Sequence, residues 1–231
     1  MPTTIVLVHG AMHTPWVFDP LRAELTERHL ESVAIQLPSS DPDSAETGGL
    51  SDDVEAIRTA VAEIDGDVVL AAHSYGAVPS TWAAAESDAV VGLALIAGFS
   101  LPEGSSLQEF LGGEFPPNWR QSTDGLAIKV GDPEESIFSG VDEALTTEAV
   151  GRLNWQGIGA FTEALGARPG DDVRTAYIVT TEDRSLPLEA QEQWAAEADL
   201  SVRVASGHSP HLSHPAEVAD AIAQLVELTR D

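Results

Sequence analysis

A serine flanked by small residues ends an apolar run in the stretch "VVLAAHSYGAVPS", which covers residues 68–80. Ser74 has Ala72 two positions before it and Gly76 two positions after it. Small residues are needed there when a strand turns sharply into a helix, because the two elements pass close together. The usual pattern is Gly-x-Ser-x-Gly, from which Ala72 departs by one methyl group. The pattern predicts that Ser74 is a nucleophile.

A serine hydroxyl is a weak nucleophile at neutral pH, so it needs a general base, usually a histidine held by a carboxylate. The stretch "AYIVTTEDRSLP" offers Glu182 and Asp183, and we prefer Asp183, which lies further into the turn. The stretch "VRVASGHSPHLSHP" offers three histidines. His208 follows an apolar run and a Ser-Gly pair, so it is the preferred base; His211 and His214 are the alternatives.

Acyl-transfer chemistry also needs hydrogen-bond donors for the negatively charged oxygen of the tetrahedral intermediate. The first apolar run ends in "VHGAMH", a turn that would place backbone amides beside the serine. The predicted oxyanion hole consists of the amides of Ala11 and Tyr75, with the Met12 amide as the neighbouring alternative to Ala11.

Six short runs rich in Val, Ile and Leu alternate with helical patterns. The predicted strands are Thr4–Val8, Ser32–Gln36, Val68–Ala72, Val90–Ile96, Thr175–Thr180 and Ser201–Val204. The predicted helices are about Trp16–Arg28, one after Ser51, one after Gly76, about Leu188–Ala198 and one from Pro215. The strands mostly lack a polar face, as strands buried on both sides do. This alternation predicts an α/β fold with a mainly parallel six-stranded sheet, flanked by helices, in the order 2-1-3-4-5-6.

Residues 100–172 break the alternation and are rich in Gly and Pro. Seven of the 13 aromatic residues fall between Phe99 and Phe161. We predict a core made of residues 1–99 and 173–231, with residues 100–172 as an insertion that forms a lid. The lid aromatics could form only the lid's own core, but we expect some of them, among Phe99, Trp119 and Trp155, to face the substrate.

The composition excludes several classes of function. The formal net charge is −27, from 38 acidic and 11 basic residues, which argues against nucleic acid and anionic membrane partners. The chain has no cysteine, and we see no signal peptide or membrane-spanning run, so we expect a cytoplasmic protein. The acidity reflects either the general composition of the proteome or adaptation to high salt.

With the serine, the acid, the histidine and the His-Gly turn in order, the chain resembles the α/β-hydrolase superfamily along nearly its whole length. Within it, the chain is similar to small esterases grouped with plant methyl-salicylate esterases and hydroxynitrile lyases. The stretches that carry the resemblance are "LVHGAMHTPWVF", "AAHSYG", "ALIAGFSLPEG", "YIVTTEDRSLP" and "GHSPHLSHPAEVA". The resemblance implies a Ser74–His208–Asp183 triad, the same oxyanion hole, and a substrate pocket lined by His13 and the lid aromatics. Gly10 and Met12 are further substrate-binding candidates.

Two departures from the lyases favour hydrolysis. The lyases that the chain resembles have a hydroxyl residue where Gly10 stands, and a lysine where Ser209 follows the histidine. The predicted function is therefore a serine hydrolase that cleaves small apolar or aromatic esters without metal or cofactor; a monomer and a homodimer both stay open. The alternatives are a lyase or other non-hydrolytic enzyme with the same triad, and a small-molecule binding protein without turnover.

Overall fold

A parallel sheet forms the centre of the molecule. The computed structural model describes residues 3–40 and 48–230. The strands in these residues are β1 (Thr3–Val8), β2 (Glu31–Ile35), β3 (Asp67–His73), β4 (Val90–Ile96), β5 (Arg120–Gln121), β6 (Ala127–Lys129), β7 (Gln156–Gly157), β8 (Arg174–Thr180) and β9 (Leu200–Val204). Six of them pair in parallel in the order β2-β1-β3-β4-β8-β9. This confirms the predicted order of the six long strands.

Helices cover the sheet. Those in the described residues are α1 (Asp19–Glu27), α2 (Leu50–Ala62), α3 (Ala77–Ala85), α4 (Leu107–Phe110), α5 (Glu143–Gly151), α6 (Gly159–Thr162), α7 (Leu188–Ala195), α8 (Pro210–Ser213) and α9 (Pro215–Leu228). Helix α1 packs on α9, and α2 packs on α3. Within residues 3–40 and 48–230, no helix has both the length and the apolar character needed to cross a lipid bilayer.

Burial along the strands depends on their place in the sheet. The central strands β1, β3 and β4 are buried on both faces over most of their length. The edge strands β2 and β9 instead carry exposed residues at alternate positions, among them Val33. The prediction that the strands mostly lack a polar face is therefore wrong for the two edges, where neighbouring elements cover less of the sheet.

The predicted helix at residues 16–28 begins differently. Pro15–Phe18 forms a 3-10 turn, and α1 starts only at Asp19. Proline lacks an amide hydrogen and is tolerated in the first turn of a helix, where Pro20 now lies. A longer helix from Trp16 would have placed Pro20 inside it, at the cost of a hydrogen bond.

Residues 100–172 contribute no strand to the six-stranded sheet. They hold α4, α5 and α6 and a separate antiparallel sheet of β5, β6 and β7. The sequence predicted only irregular structure and short helical pieces here, since strands of two or three residues leave no alternating pattern. The division into a core and a lid stays a prediction.

Candidate active site

The turn that carries Ser74 joins β3 to α3. Ser74 has a φ of 53°, in the left-handed region that residues with a side chain rarely adopt. At Gly76, an added Cβ would lie 2.4 Å from the His9 carbonyl oxygen and 2.7 Å from that of Val8. The chain therefore needs glycine here, because the turn after the serine packs directly on the end of β1. The tight packing holds Ser74 in its strained conformation.

A chain of two hydrogen bonds connects Ser74 to a buried carboxylate. Ser74 Oγ lies 2.9 Å from His208 Nε2, and His208 Nδ1 lies 2.7 Å from Asp183 Oδ2. The Asp183 side chain is fully buried and that of His208 is 5% exposed. The three residues follow β3, β8 and β9, so the carboxyl ends of three parallel strands bring them together. In this arrangement the histidine can take the proton of the serine hydroxyl, and the carboxylate can hold the histidine in place.

The Asp183 carboxylate is saturated with hydrogen bonds. Besides His208, its donors are Thr180 Oγ1 at 2.8 Å, Gln191 Nε2 at 3.2 Å, and the amides of Ser185 at 2.7 Å and Leu186 at 2.9 Å. Burial acts to raise the pKa of Asp183, but His208, the Leu186 amide and the Thr180 hydroxyl together outweigh it and lower the pKa below its usual value. The group stays ionised and can hold the His208 imidazole in one orientation.

The backbone around Ala11 faces Ser74 across the site. Ala11 and Tyr75 both line the cavity described below. The Met12 amide donates to Gln156 Oε1 at 2.7 Å, so it is already occupied. In the described part of the chain, the Ala11 amide has no protein acceptor within hydrogen-bond distance. Of the two neighbours that the sequence left open, the geometry favours Ala11 as the donor that can meet a substrate oxygen.

A cavity of about 240 Å³ opens above Ser74 and His208. Its apolar lining consists of Ala11, Met12, Phe99, Leu107, Leu111, Pro116, Trp119, Val130, Ile137 and Phe161. Its further polar lining consists of His13, Asn118, Ser136, Arg184 and Ser185. The residues from the 100–172 segment supply most of the apolar surface. The site is therefore a small, mostly apolar chamber with its polar groups gathered around one serine.

Not all of the proposed substrate-binding residues line this cavity. Met12, His13, Phe99 and Trp119 do. Trp155 does not: the residue is 43% exposed and lies outside this cavity's lining, so its part in substrate binding stays a prediction. It comes directly before Gln156, whose side chain is buried, and neighbouring side chains of an extended segment point to opposite faces.

Gly10 also lies outside the cavity lining. A Cβ added at Gly10 would lie 2.8 Å from His73 Nδ1 and 3.1 Å from Ser74 Cβ. Gly10 therefore packs against the serine turn and does not face the chamber. Its role is to allow the close approach of the two segments.

Three further histidines pack against one another next to Ser74 and His208, and one of them, His13, also lines the cavity. His73 lies between His13 and His211, with ring centroids 5.7 Å and 4.3 Å away, and its Nε2 donates to the His208 carbonyl oxygen at 2.8 Å. Burial keeps the pKa values of all three well below the usual value for histidine, to about 3 for His13. All three are neutral, and among the described residues no group of three potential ligands is arranged to hold a metal ion.

Several supporting residues were not found from the sequence. Thr180 and Gln191 contact Asp183, and a buried carboxylate, Asp53, contacts the hydroxyl of Tyr75. Asp53 did leave a signal, since it lies four positions before Ile57 on the buried side of α2. A carboxylate on the buried side of a helix implies a specific partner.

The chain belongs to the alpha/beta hydrolase family, whose model matches residues 5–221. This confirms the predicted fold class. Among curated proteins, it is 26% identical over 236 residues to the alpha/beta hydrolase nvfD of Aspergillus novofumigatus, covering 91% of each chain.

Solved structures share the fold at lower identity. A pyrethroid hydrolase from Sphingobium faniae JZ-2 superimposes with a TM-score of 0.85 at 20% identity, covering 98% of each chain. The methylesterase MES16 from Arabidopsis superimposes with a TM-score of 0.84 at 18% identity, covering 99% of this chain and 100% of that one. At such identities the likeness establishes the fold alone.

Proposed function

We propose that the protein is a serine hydrolase that cleaves small apolar or aromatic carboxylic esters. The observation that carries the proposal is the hydrogen-bonded series of Ser74, His208 and Asp183 at the floor of the cavity. The names of the relatives, a pyrethroid hydrolase and a methylesterase, agree with hydrolysis of this kind.

In the proposed mechanism, Ser74 Oγ attacks the ester carbonyl carbon while His208 Nε2 takes the hydroxyl proton. Asp183 stabilises the imidazolium that forms. The amides of Ala11 and Tyr75 donate to the oxyanion, and each such donor is worth roughly 10²–10³ in rate. His208 then gives its proton to the leaving alcohol. Water, deprotonated by His208, attacks the acyl-enzyme and releases the acid.

The chamber supports the choice of substrate. Its volume of about 240 Å³ lies just below the usual range for ligand pockets, and most of its lining side chains are apolar. The Phe99, Trp119 and Phe161 rings offer flat apolar surface near the serine. A small aromatic or branched acyl or alcohol group fits this chemistry, whereas a long acyl chain exceeds the space.

Two observations favour hydrolysis over the lyase alternative. The Gly10 position has no room for a side chain beside His73 and Ser74. Ser209, where the similar lyases carry lysine, is fully buried and donates to the Ile137 carbonyl oxygen at 2.9 Å. The two groups associated with cyanide chemistry are thus absent, and their positions are closed. The binding-protein alternative predicts ligand binding without turnover.

The test is a panel of esters, assayed with the wild type and two variants. We expect the highest kcat/KM for small aromatic esters such as phenyl acetate and methyl benzoate, and little activity on long-chain esters. Asp183→Asn should lower kcat by about 10³–10⁴-fold, because the imidazole loses the partner that orients it. Glu182→Gln, which changes the neighbouring exposed carboxylate, is the matched control and should keep full activity.

Three results would contradict the proposal. They are no hydrolysis of any ester by the wild type, cyanide release from mandelonitrile as its main activity, or an equal loss in Glu182→Gln and Asp183→Asn. The first result, together with a ligand-induced rise in melting temperature, would favour a binding protein.

A further inference from the structure

A buried polar network lies next to the site, and none of its side chains takes part in the proposed proton transfers. It consists of Asp53, Ser39, Tyr75, Gln156 and the amide of Met12, and we call it the Asp53 network. Asp53 Oδ2 accepts from Tyr75 Oη at 2.6 Å and from Ser39 Oγ at 2.5 Å, and Asp53 Oδ1 accepts from the Ser39 amide at 2.9 Å. Gln156 Nε2 donates to Ser39 Oγ at 2.5 Å, and Gln156 Oε1 accepts from the Met12 amide at 2.7 Å.

The network has a direction, and it ends at Asp53. Every hydrogen bond in it is donated toward the carboxylate: Met12 donates to Gln156, Gln156 to Ser39, and Ser39 and Tyr75 donate to Asp53. A carboxylate only accepts when ionised, so it fixes which way the Ser39 hydroxyl points. That in turn fixes which end of the Gln156 amide faces the Met12 amide. Aligned bonds of this kind polarise and strengthen one another.

A contribution to folding stability does not by itself explain why a carboxylate stands at position 53. The side chain is completely buried, and among residues 3–40 and 48–230 its hydrogen-bond partners are Ser39 and Tyr75, neither of which is a cation. Burial raises the pKa of Asp53 to about 6, which means that the ionised form costs free energy in the folded protein. Burial also raises the pKa of Tyr75 far above its usual value, so its hydroxyl remains a donor. A buried carboxylate without a cation calls for a function that uses its geometry.

The two ends of the network reach the two halves of the oxyanion hole. Tyr75 supplies one amide, and its phenol is anchored 2.6 Å from Asp53. Met12, with a φ of 69°, directly follows Ala11, which supplies the other amide. The bond to Gln156 occupies the Met12 amide and leaves the Ala11 amide for the substrate.

We propose that Asp53 is a positioning residue that fixes the distance between the Ala11 and Tyr75 amides through Ser39, Gln156 and the Tyr75 phenol. The inference rests on the proposed function, because it presupposes an oxyanion that these amides bind. Donors preorganised in this way pay no reorganisation cost when the charge develops. Loss of the network should therefore weaken binding of the transition state more than binding of the ester.

The experiment compares Asp53→Asn and Tyr75→Phe with the wild type. Tyr75→Phe removes one hydroxyl and keeps the ring, so it tests the same link where Asp53→Asn fails to fold. Tyr177→Phe is the matched control, since Tyr177 is also a buried tyrosine whose hydroxyl makes one hydrogen bond, to the Gly98 carbonyl at 2.7 Å. We measure kcat, KM and the inhibition constant of an aryl trifluoromethyl ketone, which forms a tetrahedral adduct with an active serine.

We expect kcat to fall about 10-fold in Asp53→Asn and Tyr75→Phe, with KM within twofold of the wild type. This is less than the loss of a whole donor, because both amides remain. The inhibition constant should rise by the same factor as kcat falls, and Tyr177→Phe should match the wild type in all three. A merely structural role would lower melting temperature without this parallel change in kcat and inhibition.

The inference is overturned if Tyr75→Phe keeps the kcat and the inhibition constant of the wild type. It is equally overturned if Tyr177→Phe changes both quantities as much as Tyr75→Phe does. It is also overturned by a rise in KM at constant kcat. Failure of the proposed function looks different, since the wild type itself would then neither hydrolyse esters nor form the adduct.

Discussion

At the scale of single residues, the site combines groups that the sequence could reveal with groups that it could not. Ser74, Asp183 and His208 follow strands, and their residue types are unusual enough to single out. Asp53 and Gln156 depend on contacts between positions far apart in the chain, which no local pattern records. Trp155 lies outside the lining of the cavity, and the sequence of an irregular segment carries no sign of the direction in which such an aromatic side chain points.

Asp53 gives a prediction for the pH dependence of stability. Its folded pKa of about 6 lies above the usual value of 3.8, so the ionised group destabilises the fold above pH 6. This cost disappears as the pH falls toward 4. The difference corresponds to up to about 3 kcal/mol.

The measurement is urea unfolding of the wild type and Asp53→Asn between pH 4 and pH 8. The free energy of unfolding of Asp53→Asn minus that of the wild type should increase as the pH rises from 4 to 6, because the wild type loses stability over this range, and should then level off. A difference that is constant over this range would show that Asp53 does not titrate there.

At the scale of elements, the long strands were predictable and the small sheet was not. The six main strands were predicted within a residue at either end, because apolar runs bounded by helical patterns are buried between layers of helices. Strands β5 to β7 have only two or three residues each, which is too short to show a period. The site is positioned by the contact between the end of β1 and the turn after β3. Gly76 leaves the room for this contact on the side of the turn, and Gly10 leaves it on the side of β1.

Gly76→Ala should test this meeting of elements. The new Cβ would overlap backbone oxygens of His9 and Val8, so backbone must move. We expect a loss of about 1–3 kcal/mol in the free energy of unfolding and reduced kcat, because the displaced segment leads into Ala11.

Gly151→Ala is the control for that substitution. Gly151 ends α5, and a Cβ added there meets nothing within 4 Å. Alanine is the better helix former, so this variant should be as stable as the wild type or more so, by up to about 1 kcal/mol. Equal destabilisation by both substitutions in urea unfolding would contradict the account of Gly76.

At the scale of the whole molecule, the most unusual property is the large negative net charge. With 38 acidic and 11 basic residues, most carboxylates have no cation to pair with. The ion pairs that form, such as Arg28 with Glu24 and Asp220, lie at the surface and contribute little. Self-repulsion of a net charge of −27 therefore opposes the compact state at low ionic strength.

The melting temperature should accordingly rise with sodium chloride. Screening lengths fall from about 10 Å at 0.1 M to about 3 Å at 1 M, so most of the rise should occur below about 0.5 M. A relief of about 2 kcal/mol would raise the melting temperature by roughly 4–8 °C. A melting temperature that stays flat below 0.5 M would show that repulsion is not limiting and would remove the case for salt adaptation.

The most direct test of an activated serine is the intact mass after treatment with a fluorophosphonate. We predict one adduct on the wild type. We also predict one adduct on the control variant Ser80→Ala, which alters a different buried serine that lies within α3. We predict none on Ser74→Ala, and much slower labelling of His208→Ala because the general base is lost. An unlabelled wild type, or labelling that persists in Ser74→Ala, would contradict the assignment of Ser74 as the nucleophile.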